Sequence, residues 1–152
     1  MISRIESWLH TYCPHLSAGD YQITSPSTPD YNCVAWGAEE DDRWWDPTDP
    51  EKYWPDGVPR ELTLSAFIQA YQTLGYLPCD SLELEPGFQK IAIYTKPPGE
   101  ADGQPTHVTR QLPNGRWTSK LGNLEDIEHE LDALRGFYYG AVAQILKRPV
   151  AI

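Results

Sequence analysis

The sequence predicts an α+β domain in which N-terminal helices pack on a small antiparallel β-sheet. Two observations carry this. Apolar residues recur at helical spacing in the first half of the chain, at Ile2, Ile5, Trp8 and Leu9 and again at Leu64, Phe67, Ile68, Tyr71 and Leu74, whereas the second half holds short β-rich runs bounded by Gly, Pro and Asn. Segregation of helices from strands along a chain marks the α+β class. The 152 residues suit a single domain over 1–152, which at that size buries about two-thirds of its unfolded surface without covalent staples. A 40% hydrophobic content with six Trp and nine Tyr supplies its core.

In chain order, Ser3 is a candidate cap for the first amphipathic helix. His10, Cys13 and His15 follow it. They are zinc-ligand types, but structural zinc takes four ligands and no fourth stands nearby, so neither a metal nor a cofactor is expected. Residues 16–30 have the Ser, Pro, Gly and Asp density of a loop. In Tyr31-Asn32-Cys33-Val34-Ala35-Trp36 a polar pair precedes an apolar run, so the loop turns into a helix with Asn32 as its cap. Cys33 then sits in the first turn, where unpaired N–H groups and the helix dipole favour a thiolate. The competing reading of Cys33 is a small buried hydrophobe.

Glu39-Glu40-Asp41-Asp42 reads as a solvated helix end. Trp44-Trp45-Asp46-Pro47 and Tyr53-Trp54-Pro55 mix large rings with prolines, which neither a helix nor a central strand accepts. Most of these rings are expected to cover the core, although Trp44 and Trp45 are also candidates for a substrate groove wall. Thr63 can cap the helix beginning at Leu64, and Gly75 ends it. Cys79 lies in a turn-like stretch with no activating cation. Lys90–Thr95 reads as a buried strand, 97–105 as a loop, and Thr106–Leu112 with Arg116–Leu121 as hairpin arms around Pro113-Asn114-Gly115. Asn123 with Asp126 resembles a capped helix start whose apolar stripe is Ile127, Leu131 and Leu134. The tail at 138–146 fits helix or strand, with helix preferred.

A net charge of −10 argues against nucleic acid and anionic lipid as partners. Three cysteines cannot all pair within the chain, which favours a reducing compartment. The first residues lack a signal-peptide core and no apolar run reaches membrane-span length, so a cytoplasmic location is expected, with export by a signal-less route left open.

A cysteine at a helix start and a histidine far downstream on a strand are the parts of a thiol nucleophile and its base. Here they are Cys33 and His107; a metal held by the same pair is a weaker alternative. A third side chain should orient the imidazole. With a two-residue Asn114-Gly115 turn, Thr118 and Lys120 share the face of His107. A three-residue loop, with Pro113 in the first turn position and Gly115 left-handed, puts Ser119 there with Thr109 and Gln111. The second register is preferred, which makes Ser119 the leading orienter and Asn123 the next. His129 falls on the polar face of the helix expected after Asn123.

The segments Tyr31–Trp36, Thr106-His107 and Trp117-Thr118-Ser119-Lys120-Leu121-Gly122, with His129 beyond, resemble a group of uncharacterised bacterial proteins. Those in turn resemble distant members of the papain-like superfamily that includes the NlpC/P60 and CHAP amidases. The resemblance implies a papain-like fold with Cys33 as nucleophile and His107 as base. It departs from NlpC/P60 where their Asp-Cys-Ser is Asn32-Cys33-Val34, and with no secretion signal a cell-wall substrate is not expected. The expected function is a cysteine hydrolase or acyltransferase acting on a protein, peptide or small amide. The Cys33 backbone N–H would stabilise the oxyanion with help from Tyr31, Asn32 or Gln22. The rival reading is a noncatalytic acidic interaction module of immunity or adaptor type. The oligomeric state is left open.

Overall fold

Alternate side chains of the longest strands point into two separate apolar layers, and this divides the molecule. A computed structural model describes residues 4–14, 16 and 21–150; Ile2, the proposed cap Ser3, and His15 lie outside the described residues. The elements are α1 (Arg4–Tyr12), β1 (Gln22–Ser25), α2 (Cys33–Gly37), α3 (Leu64–Gln72), β2 (Leu77–Cys79), β3 (Phe88–Lys96), β4 (Gln104–Gln111), β5 (Trp117–Lys120), β6 (Asp126–His129), a 3₁₀ turn at Leu131–Leu134, and β7 (Ala141–Pro149). The strands form one seven-stranded sheet in the order β1-β6-β5-β4-β3-β7-β2. Every pairing is antiparallel. Ile91, Ile93, Val108 and Leu146 meet α2, α3, Trp45 and Trp54 on one face. Ala92, Tyr94, Trp117, Ile127 and Ile145 meet α1 and the 131–134 turn on the other.

This corrects the expected class. Among the described residues the body of the protein is a wide antiparallel sheet with three short α-helices of nine, five and nine residues. It is not a papain-like set of helices on a small sheet. Three stretches account for the difference. Residues 22–25, read as loop, form edge strand β1 against β6. The helix expected after Asn123 is replaced by a turn, with Gly122 left-handed at φ 62°, and then by β6. Val142, Ile145 and Leu146 stand at i, i+3 and i+4, as on a helix, yet they belong to β7, which lies between β3 and β2. Spacing over so short an apolar run cannot tell a helix from a strand covered on both faces.

Other expectations hold. Thr63 caps α3, its Oγ1 accepting from Ala66 N at 3.1 Å, and Gly75 follows with φ 93°. Residues 90–95 are buried within β3. The hairpin takes the three-residue register, with Arg110 opposite Thr118 and Gln111 opposite Trp117, and Gly115 is left-handed at φ 86°. The Trp44–Trp54 segment is largely core: Trp45 is 1% and Trp54 3% exposed.

Helix α2 is seated from three sides. Asn32 Oδ1 accepts from Ala35 N and from Trp45 N, both at 3.2 Å, while its Nδ2 donates to Trp45 O at 2.9 Å. Tyr71 Oη donates to Val34 O at 2.6 Å, tying α3 to α2. Gly37 provides the close approach: a Cβ there would lie 2.7 Å from both Tyr71 Oη and Val108 Cγ1. Gly37→Ala should therefore cost about 1–3 kcal/mol by overpacking, read as a lower urea midpoint with an unchanged m-value.

Candidate functional site

Strands β4 and β5 pair only where Arg110 and Gln111 meet Thr118 and Trp117. Beyond this they part. Leu121 N donates instead to Glu125 O at 3.2 Å, and the chain turns at Gly122. Beside this end of the sheet lies a pocket of about 330 Å³ lined by Cys33, Thr106, His107, Gly122, Tyr138 and Tyr139. Helix α2 delivers Cys33 to it, half-buried, and β4 delivers His107, 1% exposed.

The imidazole of His107 is fixed on two sides. Tyr139 stacks on it, with centroids 4.2 Å apart and planes 27° from parallel. That tyrosine is held in turn by a short hydrogen bond from Thr106 Oγ1 to its carbonyl oxygen. At its edge, Nε2 lies 2.9 Å from Ser119 Oγ. Ser119 Oγ continues to Thr109 Oγ1 at 2.9 Å and to His129 Nε2 at 2.7 Å. His129 Nδ1 ends the chain 2.6 Å from Glu130 O. Thr109, Ser119 and His129 are each 0% exposed. The network is buried up to its end at Glu130, which is exposed.

Burial dominates the electrostatics. It holds the His107 pKa down to about 3, with the His129 charge adding to the effect. It likewise holds His129 down to about 4, reinforced by Arg116 and opposed by the Glu130 carbonyl. Burial also raises the Cys33 thiol, against the backbone N–H groups of Val108, Val34 and Cys33 and the charge of Lys120, which pull it down. The resting pair is thus thiol and neutral imidazole. The thiolate expected from the helix start does not prevail, because five residues carry little dipole and desolvation outweighs it.

The predicted site residues separate into two groups. Cys33 and His107 line one pocket, Ser119 bonds the His107 ring from outside its lining, and His129 in turn bonds Ser119. The others do not line the pocket. Tyr31 Oη donates to Asp126 Oδ2 at 2.6 Å, and the Asn32 amide is committed to Ala35 and Trp45. Gln22 is exposed on β1 and Asn123 is exposed in the turn. Trp44 Nε1 donates to Pro29 O through a short bond, and Trp45 Nε1 donates to Glu40 Oε1 at 2.9 Å. Cys13 is buried and its thiol is raised to about 12. His10 is exposed on α1. Among the described residues no cluster of three or more His, Cys, Asp or Glu gathers as a metal would require.

Lys120, Thr106 and Tyr139 were not singled out by the sequence as parts of the site. Lys120 is 0% exposed, and its ammonium donates to the carbonyls of Thr28, Gly122 and Leu124. It thereby pins the Gly122 wall of the pocket and places a positive charge near Cys33. Only the strand register could have located it, and the register alone does not say that α2 covers that face.

Fold and site together define a sheet-dominated domain with a pocket that a thiol and an imidazole share. A family described as a domain of unknown function, DUF7689, matches residues 22–147, and the chain belongs to it. Comparison with curated proteins and with solved structures finds no match. No helix among the described residues is long and apolar enough to cross a membrane.

The two neutral histidines set an acid limit. Unfolding returns each to the ordinary value of 6.5, so the unfolded chain takes up protons first as pH falls. Their contribution to stability is complete above pH 6.5 and is lost as pH drops toward about 4 and then about 3. At about 1.4 kcal/mol per unit the two together reach several kcal/mol, comparable to the whole stability of a small domain. Tryptophan fluorescence should therefore report cooperative unfolding between roughly pH 4 and 6. A His107 or His129 ring that titrates near 6.5 in the folded protein, followed by NMR, would contradict the neutral-histidine assignment.

Proposed function

We propose that this chain is a cysteine-dependent hydrolase or acyltransferase that attacks an amide, ester or thioester carbonyl of a protein, peptide or small amide. The observation that carries the reading is the sharing of one pocket by Cys33 and His107, with the imidazole held by Ser119 at 2.9 Å. Because Nε2 is engaged by Ser119, Nδ1 is the nitrogen left to serve the sulfur.

The mechanism follows from a neutral pair. Sγ attacks the carbonyl carbon as its proton passes to Nδ1 of His107. The backbone N–H groups of Cys33 and Val108, which act on the sulfur in the resting state, are the donors we assign to the resulting oxyanion. The C–N, C–O or C–S bond then breaks as His107 returns the proton to the leaving group, and a thioester remains on Cys33. Water or an acceptor nucleophile, deprotonated by His107, releases the acyl group. Free thiols at Cys13, Cys33 and Cys79 fit work in a reducing compartment, which we take to be the cytoplasm.

With p-nitrophenyl acetate as a generic acyl donor, the protein should release a stoichiometric burst of nitrophenol, and Cys33→Ala should abolish it. Iodoacetamide at neutral pH should modify Cys33 ahead of Cys13 and Cys79, and His107→Ala should slow that modification by about 100-fold or more. Equal, slow labelling of all three thiols with no burst would instead favour a noncatalytic acidic interaction module.

A further inference from the structure

Which proton sits where in the buried chain behind His107 follows from counting donors. Resting on the acyl-transfer reading above, we propose that His129 and Thr109 are positioning residues that act through Ser119 to keep the proton of His107 on Nε2 and leave its Nδ1 unprotonated.

His129 Nδ1 faces the Glu130 carbonyl oxygen at 2.6 Å. A carbonyl oxygen only accepts, so Nδ1 carries the hydrogen. A neutral imidazole has a single N–H, hence His129 Nε2 presents a lone pair to Ser119. Thr109 is constrained in the same way. Its hydroxyl hydrogen is committed to Thr118 O at 2.9 Å, so its oxygen can only accept from Ser119. Ser119 Oγ thus stands between two acceptors, Thr109 Oγ1 at 2.9 Å and His129 Nε2 at 2.7 Å. It has one hydrogen to give them.

The third neighbour of Ser119 is His107 Nε2 at 2.9 Å. Were Ser119 to spend its hydrogen there, its oxygen would face two lone pairs at hydrogen-bond distance with nothing between, in a site without solvent. That arrangement is costly, since each buried polar group left unpaired loses about 1–3 kcal/mol. With His107 donating, the Ser119 hydrogen serves one of its two acceptors and a single lone-pair contact remains in place of two, and this difference assigns the hydrogen to Nε2. The Tyr139 ring stacked on the imidazole prevents the ring from flipping to exchange its nitrogens. A buried serine is a poor orienter alone, because its hydroxyl can turn either way. Two acceptors behind it remove that freedom, the role a carboxylate or amide plays in other triads.

The assignment is read directly by long-range ¹H–¹⁵N correlation of the histidine rings in the full-length protein at pH 7.5. His107 should appear as the Nε2–H tautomer and His129 as the Nδ1–H tautomer. His107 found as Nδ1–H, or as a mixture, overturns the proposal whatever the variants do. Removing both acceptors in a Thr109→Val, His129→Leu double variant should convert His107 to Nδ1–H and slow Cys33 alkylation by about 100-fold. His129→Gln, whose amide oxygen can still accept from Ser119, should keep the wild-type tautomer and stay within about threefold of the wild-type rate. A double variant that folds and keeps the Nε2–H form overturns the proposal. Wild-type tautomers as stated, in a protein whose Cys33 alkylates no faster than Cys79, would uphold the proton assignment and sink the acyl-transfer reading alone.

Discussion

The side chain of Asn32 is the fastening on which the site depends. A helix of five residues cannot sustain itself, since nucleation is unfavourable and too few bonds follow to offset it. The position of Cys33 is therefore imposed from outside. One amide group does most of this: its oxygen caps α2 while also binding the Trp45 amide, and its nitrogen holds the Trp45 carbonyl. The irregular 44–54 segment is in turn anchored by rings packed into the core, with Trp45 stacked at 6.2 Å over Tyr71. Tyr71 closes the circuit by bonding back to Val34. What reads as loop is a rigid bracket for Cys33.

Much of the local chemistry was legible in the chain. Asn32 before an apolar run gave the α2 cap, Thr63 gave the α3 cap, and the Pro-Asn-Gly turn chose between two hairpin registers that would have placed different side chains beside His107. The register mattered most, because a shift of one residue sends every side chain to the opposite face. The architecture was less legible. Residues 126–129 and 141–149 become strands through pairing with β5, β1 and β3, and such partners are distant in sequence. Their apolar spacings, Ile127 with Leu131 and Val142 with Ile145 and Leu146, are compatible with either period. With those stretches assigned to helix, the sheet looks small and the class is misjudged.

The state of the sulfur shows why magnitude must be weighed as well as direction. A helix start, three backbone N–H groups and a nearby ammonium all favour the anion, and burial opposes them and wins. The same burial strips the proton from both histidines. The pocket therefore holds a neutral acid beside a neutral base. A neutral resting pair is less exposed to stray oxidants than a standing thiolate.

The flanks of the sheet close with very short segments. β1 runs four residues and breaks register between Ile23 and Ser25, and β2 runs three with Pro78 at its centre. Proline has no amide hydrogen to offer, and so abbreviated a margin presents a stranger's chain with few rungs to climb. The broad, strongly apolar middle of this protein is thereby kept from serving as a template for fibril growth.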